Sequence, residues 1–334
     1  MERVRKPKRS FSLKGEDSNL STLSFFSTLT INADTPEFSF RLDLKRSESF
    51  PAHRFSCKGY WFHSDERYTA FPVPKDSAHL QLQLGESLGA GRTGTAYSAQ
   101  VSAPLPQLSR PVPSELVVKF AKLNHCRNLA REAWIYNYLD RIPQSSGTII
   151  PRCYGFFTTT LTELPSAKRP YDLPWSSVDG EHAKRDDDLW DDVEVEESLD
   201  EIPSELITKE RSAWNSWVPD SKNPLVAVLI LEKGGPMYNE IDDEDPLVKK
   251  DIKQIIRDLS LCGVAHGDFR MSNLVRSPTT TEVCPHHKCV HKWNIIDFNR
   301  AWVLDLGVEC IPDAIVAVDP GYRQPGFYGW NPSK

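Results

Sequence analysis

Val264-Ala-His-Gly-Asp-Phe-Arg-Met-Ser-Asn273 is the stretch on which the reading of this chain turns. It follows a helical pattern, Leu247 to Cys262, with Val248, Ile252, Ile255, Ile256 and Leu259 on one face and Gly263 ending it. Downstream, Trp293-Asn-Ile-Ile-Asp-Phe-Asn299 reads as a short apolar strand that ends on a carboxylate, Asp297. A charge at the end of an apolar strand needs a partner, and a bound hard cation is the natural one. Asp268 and Asn273 sit in a loop between helix and strand, where their side chains can converge with His266 nearby. Asp268 is then free to act as a base, while Asn273 and Asp297 offer oxygen ligands to a metal ion. That layout suits ATP-dependent phosphoryl transfer, an expectation against which the rest of the chain is read.

Working upstream, His79-Leu-Gln-Leu-Gln-Leu84 alternates as a strand and runs into Gly89-Ala-Gly-Arg-Thr-Gly94, after which Thr95 to Val101, with Ala96 near its start, reads as another strand. A G-x-G-x-x-G opening a helix suggests a dinucleotide site. Strand flanks instead suggest a hairpin whose backbone N–H groups approach phosphate oxygens, or an ordinary turn. Next comes the apolar strand Ser114 to Ala121, interrupted by Lys119. That lysine either snorkels to water or reaches phosphates beneath the hairpin, held by a carboxylate. Arg127 to Leu139 supplies one, Glu132, on a helix that packs through Leu129, Trp134, Ile135 and Tyr138; a solvated Glu132 is the plainer alternative. Thr148 to Phe157 reads as a strand pair turning at Cys153-Tyr-Gly-Phe156, and Leu225 to Leu231 as a buried strand. The exit from that strand, Glu232 to Gly234, is where an adenine edge would meet backbone groups.

The flanks are less informative. Residues 1–35 read as a disordered basic and Ser-rich tail, with Arg3-Val-Arg-Lys-Pro-Lys-Arg9 as a possible nuclear import signal. Residues 36–78 read as a β extension, with Phe38 to Leu44 as an edge strand and a second strand within Lys58 to Pro74. Residues 158–223, rich in Pro, Ser and acids, form a long acidic insertion: a solvated loop or a docking segment for a basic partner, with Trp175, Trp190, Trp214 and Trp217 available to pin it. In Cys284-Pro-His-His-Lys-Cys-Val-His291, the two cysteines and three histidines are enough for zinc. In an extended conformation, however, His287, Cys289 and His291 would share a face too far apart to meet at one ion, so a plain hairpin tip is the expectation.

Composition sets outer bounds. The 334 residues are 39% hydrophobic and 10% aromatic, enough for a core, while 26% charged residues and 25 prolines place sizeable stretches outside it. A net charge of −6 argues against a nucleic-acid or anionic-membrane partner. Seven scattered cysteines read as reduced thiols. The basic start is followed by no apolar run, and the longest apolar run is strand-length, so a soluble cytoplasmic or nuclear protein is expected.

Taken in order, Gly89-Ala-Gly-Arg-Thr-Gly94, Val118-Lys119, Glu132, His266-Gly-Asp-Phe-Arg-Met-Ser-Asn273 and Asp297-Phe-Asn299 resemble the motifs of the protein-kinase-like superfamily, over residues 79 to 303. The look is similar to fungal kinase-like proteins of the aminoglycoside-phosphotransferase and choline-kinase kind. The resemblance implies an α+β, two-lobed fold: an antiparallel-sheet N-lobe over 79–235, carrying the acidic insertion, and a short, mainly helical C-lobe over 236–334. It implies ATP and Mg²⁺ as cofactors. Gly89, Gly91, Gly94, Ala96, Lys119, Glu232 and Gly234 would bind the nucleotide, Glu132 would hold Lys119, Asp268 would handle the acceptor proton, and Asn273 and Asp297 would bind the metal. The chain departs from the pattern at Gly267, where regulated protein kinases carry an arginine, and at Asn299, in place of a glycine. Asn tolerates left-handed backbone, so the turn is expected to survive. Two functions follow: a phosphotransferase acting on a protein Ser/Thr or small-molecule hydroxyl, or a catalytically weak pseudokinase serving as a nucleotide-binding or scaffolding module.

Overall fold

The computed structural model describes residues 25–34, 39–54, 72–75, 77–108, 110–142, 145–161, 173–175 and 212–304. Seven strands close into a barrel: β1 (Phe26–Asp34), β2 (Ser39–Arg46), β4 (Ala78–Ala90), β5 (Gly94–Val101), β6 (Glu115–Ala121), β7 (Cys153–Thr160) and β8 (Leu225–Glu232), in the order β1-β2-β7-β8-β6-β5-β4. Strand directions that alternate around a ring can return to the start only if the number is even. With seven, one pair must be parallel, and β1 beside β4 is that pair, with Leu29 opposite Leu80 and Ile31 opposite Leu82.

This overturns the two-lobed expectation. The N-terminal sheet is a closed barrel rather than an open antiparallel one, and only two α-helices occur among the described residues, α1 (Cys126–Asp140) and α2 (Pro246–Leu261). After β8 come α2 and short strands: β9 (Val264–Ala265) and β12 (Trp302–Leu304), in one sheet with β3 (His53–Arg54) from the N-terminal part of the chain, and β10 (Leu274–Arg276) paired with β11 (Trp293–Ile295) in another. Closure depends on β1 and β2. β1 lies within the stretch whose composition suggested a disordered tail, because its serines and threonines mask the alternation of Leu29, Ile31 and Ala33, all buried. β2, expected at an edge, is hydrogen-bonded on both sides, to β1 and β7. The expected turn at Cys153 to Phe156 is instead the start of β7, irregular only at Gly155. The tail through residue 24, the strand expected over Lys58 to Pro74, nearly all of the acidic insertion and residues 305–334 lie outside the described residues.

β8 explains why Leu225 to Leu231 is apolar without alternation. Val226, Val228 and Ile230 join Leu42, Leu82, Leu116, Val118 and Phe120 in the barrel core, while Ala227, Leu229 and Leu231 join a second core with α1, α2 and β11. A strand buried on both faces has no polar side to present. Each such side chain removed from water contributes about 1.5–3 kcal/mol. α1 lies between the two halves and is buried almost all round, its Arg127, Asn128, Arg131 and Glu132 included. Trp175, one of the tryptophans of the insertion, is buried against Phe40 and Phe120 at ring-centroid distances of 5.1 and 5.6 Å. Trp214 donates from its indole N–H to the Glu48 carbonyl at 2.8 Å. No helix among the described residues is long and apolar enough to cross a membrane.

Candidate functional site

Period-two geometry places Lys119. On β6, Leu116, Val118 and Phe120 enter the barrel core, so Lys119 projects from the outer face toward α1. Its Nζ lies 2.6 Å from Glu132 Oε2 and 2.6 Å from Asp297 Oδ1. Three stretches of sequence thus meet at one ammonium. Glu132 is fully buried, whereas the Lys119 and Asp297 side chains keep 15% and 22% exposure, so the triad opens to solvent on the Asp297 side.

One cation between two carboxylates leaves a formal deficit of one positive charge. Burial works against the Lys119 ammonium, but Asp297 and Glu132 outweigh it and its pKa is raised. Burial also dominates at Glu132, which is pushed up to about 7 even though Lys119 pulls it down. Asp297 pays a burial penalty too, yet Lys119 overcomes it and its pKa is lowered. Of the two carboxylates, Asp297 is the more firmly ionised and Glu132 the softer partner.

The Asp297 segment is held by packing and by backbone strain. β10 and β11 pair Leu274 with Ile295, and the Ile296 N–H donates to the Asn273 carbonyl at 3.0 Å. Asn273 and the residue before Asp297 therefore face each other where the ladder ends. Asp297 then takes a left-handed backbone with φ 67°. Such a conformation costs a non-glycine residue about 1–3 kcal/mol and persists only where its surroundings enforce it. Here Phe298 is wedged between Tyr136 and His266, at ring-centroid distances of 5.2 and 4.9 Å, and Arg131 donates to the Ala301 carbonyl at 3.3 Å. The left-handed residue is thus Asp297. Asn299, where a tolerated left-handed turn was expected, is not among the positive-φ residues, and its amide serves another purpose. Asn299 Nδ2 donates to the Thr93 hydroxyl at 2.9 Å, joining this segment to the glycine hairpin.

His266 is buried and donates from Nε2 to the Ile296 carbonyl, 2.9 Å away; burial holds its pKa below the usual histidine value, so it is a neutral positioning group. Asn273 Nδ2 donates to the Asp268 carbonyl at 2.8 Å, which turns the amide oxygen into the end available as a ligand. Asp268 Oδ2 lies 3.0 Å from the Arg270 guanidinium. Gly267 has φ 72°, and a Cβ there would collide with the Arg300 carbonyl. Backbone crowding therefore accounts for a glycine at that position.

The hairpin residues line up with the lysine. Gly89 pairs with Ala96 across β4 and β5, and Ala96 pairs with Lys119 across β5 and β6. Gly91 donates its N–H to the Gly94 carbonyl at 2.8 Å, and a Cβ on Gly94 would collide with the Phe120 carbonyl. Glu232 is placed differently from the rest. Its buried carboxylate is 3.1 Å from Arg152 Nη1 and accepts from the Thr280 hydroxyl, and Arg152 continues to Glu282 at 2.7 Å. The side chain is thus engaged in an internal network, and the Glu232 N–H is itself donated to the Arg152 carbonyl at 2.8 Å. Gly234 packs against the Arg276 carbonyl, which accepts from the Gly235 N–H at 2.8 Å. Thr93 and Arg131 escaped sequence reasoning, because an Arg on a helix and a Thr in a turn carry no distinguishing pattern. Comparison of the chain with protein-family models and with curated proteins returns no match.

Proposed function

We propose that this chain binds a magnesium–ATP complex beneath the Gly89–Gly94 hairpin and transfers its terminal phosphoryl group to a hydroxyl acceptor, on a protein or a small molecule. The observation that carries the reading is Lys119, within 2.6 Å of both Glu132 and Asp297. The donor set fits a hard divalent cation: the Asp297 carboxylate and the Asn273 amide oxygen are oxygen ligands, and the triad lacks one positive charge. When bound, the cation would supply charge neutralisation for the phosphates.

The chain's own residues do the positioning. Glu132 fixes the Lys119 ammonium, the cation that would meet phosphate oxygens. Arg270 engages Oδ2 of Asp268 and so orients the other carboxylate oxygen toward an acceptor hydroxyl, whose proton Asp268 accepts. His266 and Phe298 hold Asp297 in its strained conformation. The order of motifs, similar to that of protein-kinase-like sequences, supports this chemistry.

The test is Mg²⁺-dependent turnover of labelled ATP over peptide, aminoglycoside, choline and sugar acceptors. Asp268→Asn and Lys119→Met are expected to lower the rate by about 10²-fold or more. Equal rates in all three proteins would overturn the reading. A second reading, a nucleotide-binding module without turnover, is favoured by one observation: Lys119 directly occupies the Asp297 oxygen that a cation would use. Saturable ATP binding with no transfer to any acceptor would favour it.

A further inference from the structure

We propose that Asp258, Cys284, His287 and His291 form a zinc site, separate from the Lys119 centre and independent of the nucleotide reading. The turn after Cys284 is tighter than the extended form assumed from sequence. Cys284 donates its N–H to the Cys289 carbonyl at 2.8 Å, and Lys288 donates to the Cys284 carbonyl at 2.7 Å with a left-handed φ of 56°. The reversal brings His287 back beside Cys284 and turns Cys289 out to solvent. The fourth group, Asp258, comes from the last turns of α2, which sequence spacing gave no reason to include.

The four potential ligand atoms all lie within 4.8 Å of one another. Cys284 Sγ is 3.5 Å from His287 Nδ1 and 3.6 Å from Asp258 Oδ2. Asp258 Oδ2 is 3.3 Å from His287 Nδ1 and 4.0 Å from His291 Nε2. A tetrahedron with zinc–oxygen and zinc–nitrogen bonds near 2.0–2.1 Å and a zinc–sulfur bond near 2.3 Å has edges of about 3.3–3.6 Å. The three separations among Asp258, Cys284 and His287 already match those edges, and His291 Nε2, 4.0 Å from Asp258, needs a small inward shift.

A second observation points to a ligand at its centre. His291 is fully buried, and its Nε2 makes no hydrogen bond among the described residues although it faces the cluster. Its other nitrogen, Nδ1, lies 2.7 Å from Asp251 Oδ1, and the second oxygen of Asp251 accepts from the Lys292 N–H at 2.8 Å. A carboxylate behind the far ring nitrogen is the arrangement that orients a metal-binding histidine and raises its basicity. One thiolate, one carboxylate and two neutral imidazoles around a divalent cation are formally neutral, which suits a buried site. Binding displaces the Cys284 thiol proton to solvent. Because the protein fills all four positions, the site is structural. It clamps α2 to the loop between β10 and β11, the two strands that lead to Asn273 and Asp297.

Full-length protein purified without chelator, equilibrated with ZnCl₂ and desalted, is expected to retain one zinc per chain by elemental analysis. Cys284→Ser and His291→Ala should weaken zinc binding at least tenfold, while Cys289→Ser should leave it unchanged. No zinc on the wild-type protein, or equal retention in Cys284→Ser, would overturn the proposal. Since a ligand variant that fails to fold would also lose zinc, the wild-type protein loaded with Co²⁺ provides a second reading. A thiolate-to-cobalt charge-transfer band is expected, and tetrahedral cobalt bound without one would also overturn the proposal.

Discussion

Asn299 donates its side-chain amide to the Thr93 hydroxyl at 2.9 Å, a buried bond between residues 206 positions apart. It links the glycine hairpin directly to the segment that presents Asp297. Removing it in Asn299→Ala should cost about 1 kcal/mol and lower Tm by roughly 2–4 °C. If ATP binds beneath the hairpin, the KM for ATP should rise more than kcat falls. Thermal unfolding together with steady-state kinetics checks both, and a fall in kcat at unchanged KM would separate the tether from nucleotide binding.

Lys119→Met leaves two carboxylates in a mostly buried site without their cation. A broken buried pair of this kind costs about 3–5 kcal/mol. Adding Glu132→Leu removes one of the stranded charges, so the double variant is expected to be more stable than Lys119→Met alone. Urea unfolding of the four proteins of this cycle measures the coupling. Additive losses would show that the pair is not coupled.

Glu132 gives a pH signature. Its carboxyl is pushed up by burial from 4.5 to about 7, so the folded state holds the proton more tightly than the unfolded chain. The resulting contribution to stability is complete below about 4.5 and is lost as pH rises through about 7. In magnesium-free buffer, the stability of wild type relative to Glu132→Gln should therefore decline across that window and level off above it. Parallel pH profiles for the two proteins would contradict the raised value.

Glu232 is expected to matter for stability and not for the nucleotide. Its carboxylate is buried against Arg152, so Glu232→Gln should destabilise the protein by about 3 kcal/mol and leave the KM for ATP unchanged. Denaturant unfolding and KM measured on the same preparation decide the point.

The sequence made the site more legible than the fold. Lys119, Glu132 and Asp297 could be chosen because each is a charge set in an apolar strand or helix, and the structure brings those three together. β8 was legible because two buried faces leave a continuous apolar run. The barrel was not legible, since its closure rests on pairings such as Ile31 with Leu82 and Lys45 with Thr158, far apart along the chain and without local signature. The ion pair of the Glu232 side chain with Arg152 was not legible, because nothing near Glu232 in sequence announces that partner. The cluster around Cys284 was not legible either: an extended His287, Cys289 and His291 cannot meet at one ion, the turn at Lys288 has no signature in a lysine, and Asp258 sits on a helix that reads as simply amphipathic.

The parallel seam between β1 and β4 has a consequence for handling the protein. A shortened chain beginning at residue 78, where the glycine-rich hairpin starts, would lack both strands that complete the ring. β4 and β7 would then each expose a row of unpaired backbone N–H and C=O groups beside an uncovered apolar interior, which invites intermolecular strand pairing. Such a fragment should be recovered as aggregates even though every residue of the Lys119 centre is still present.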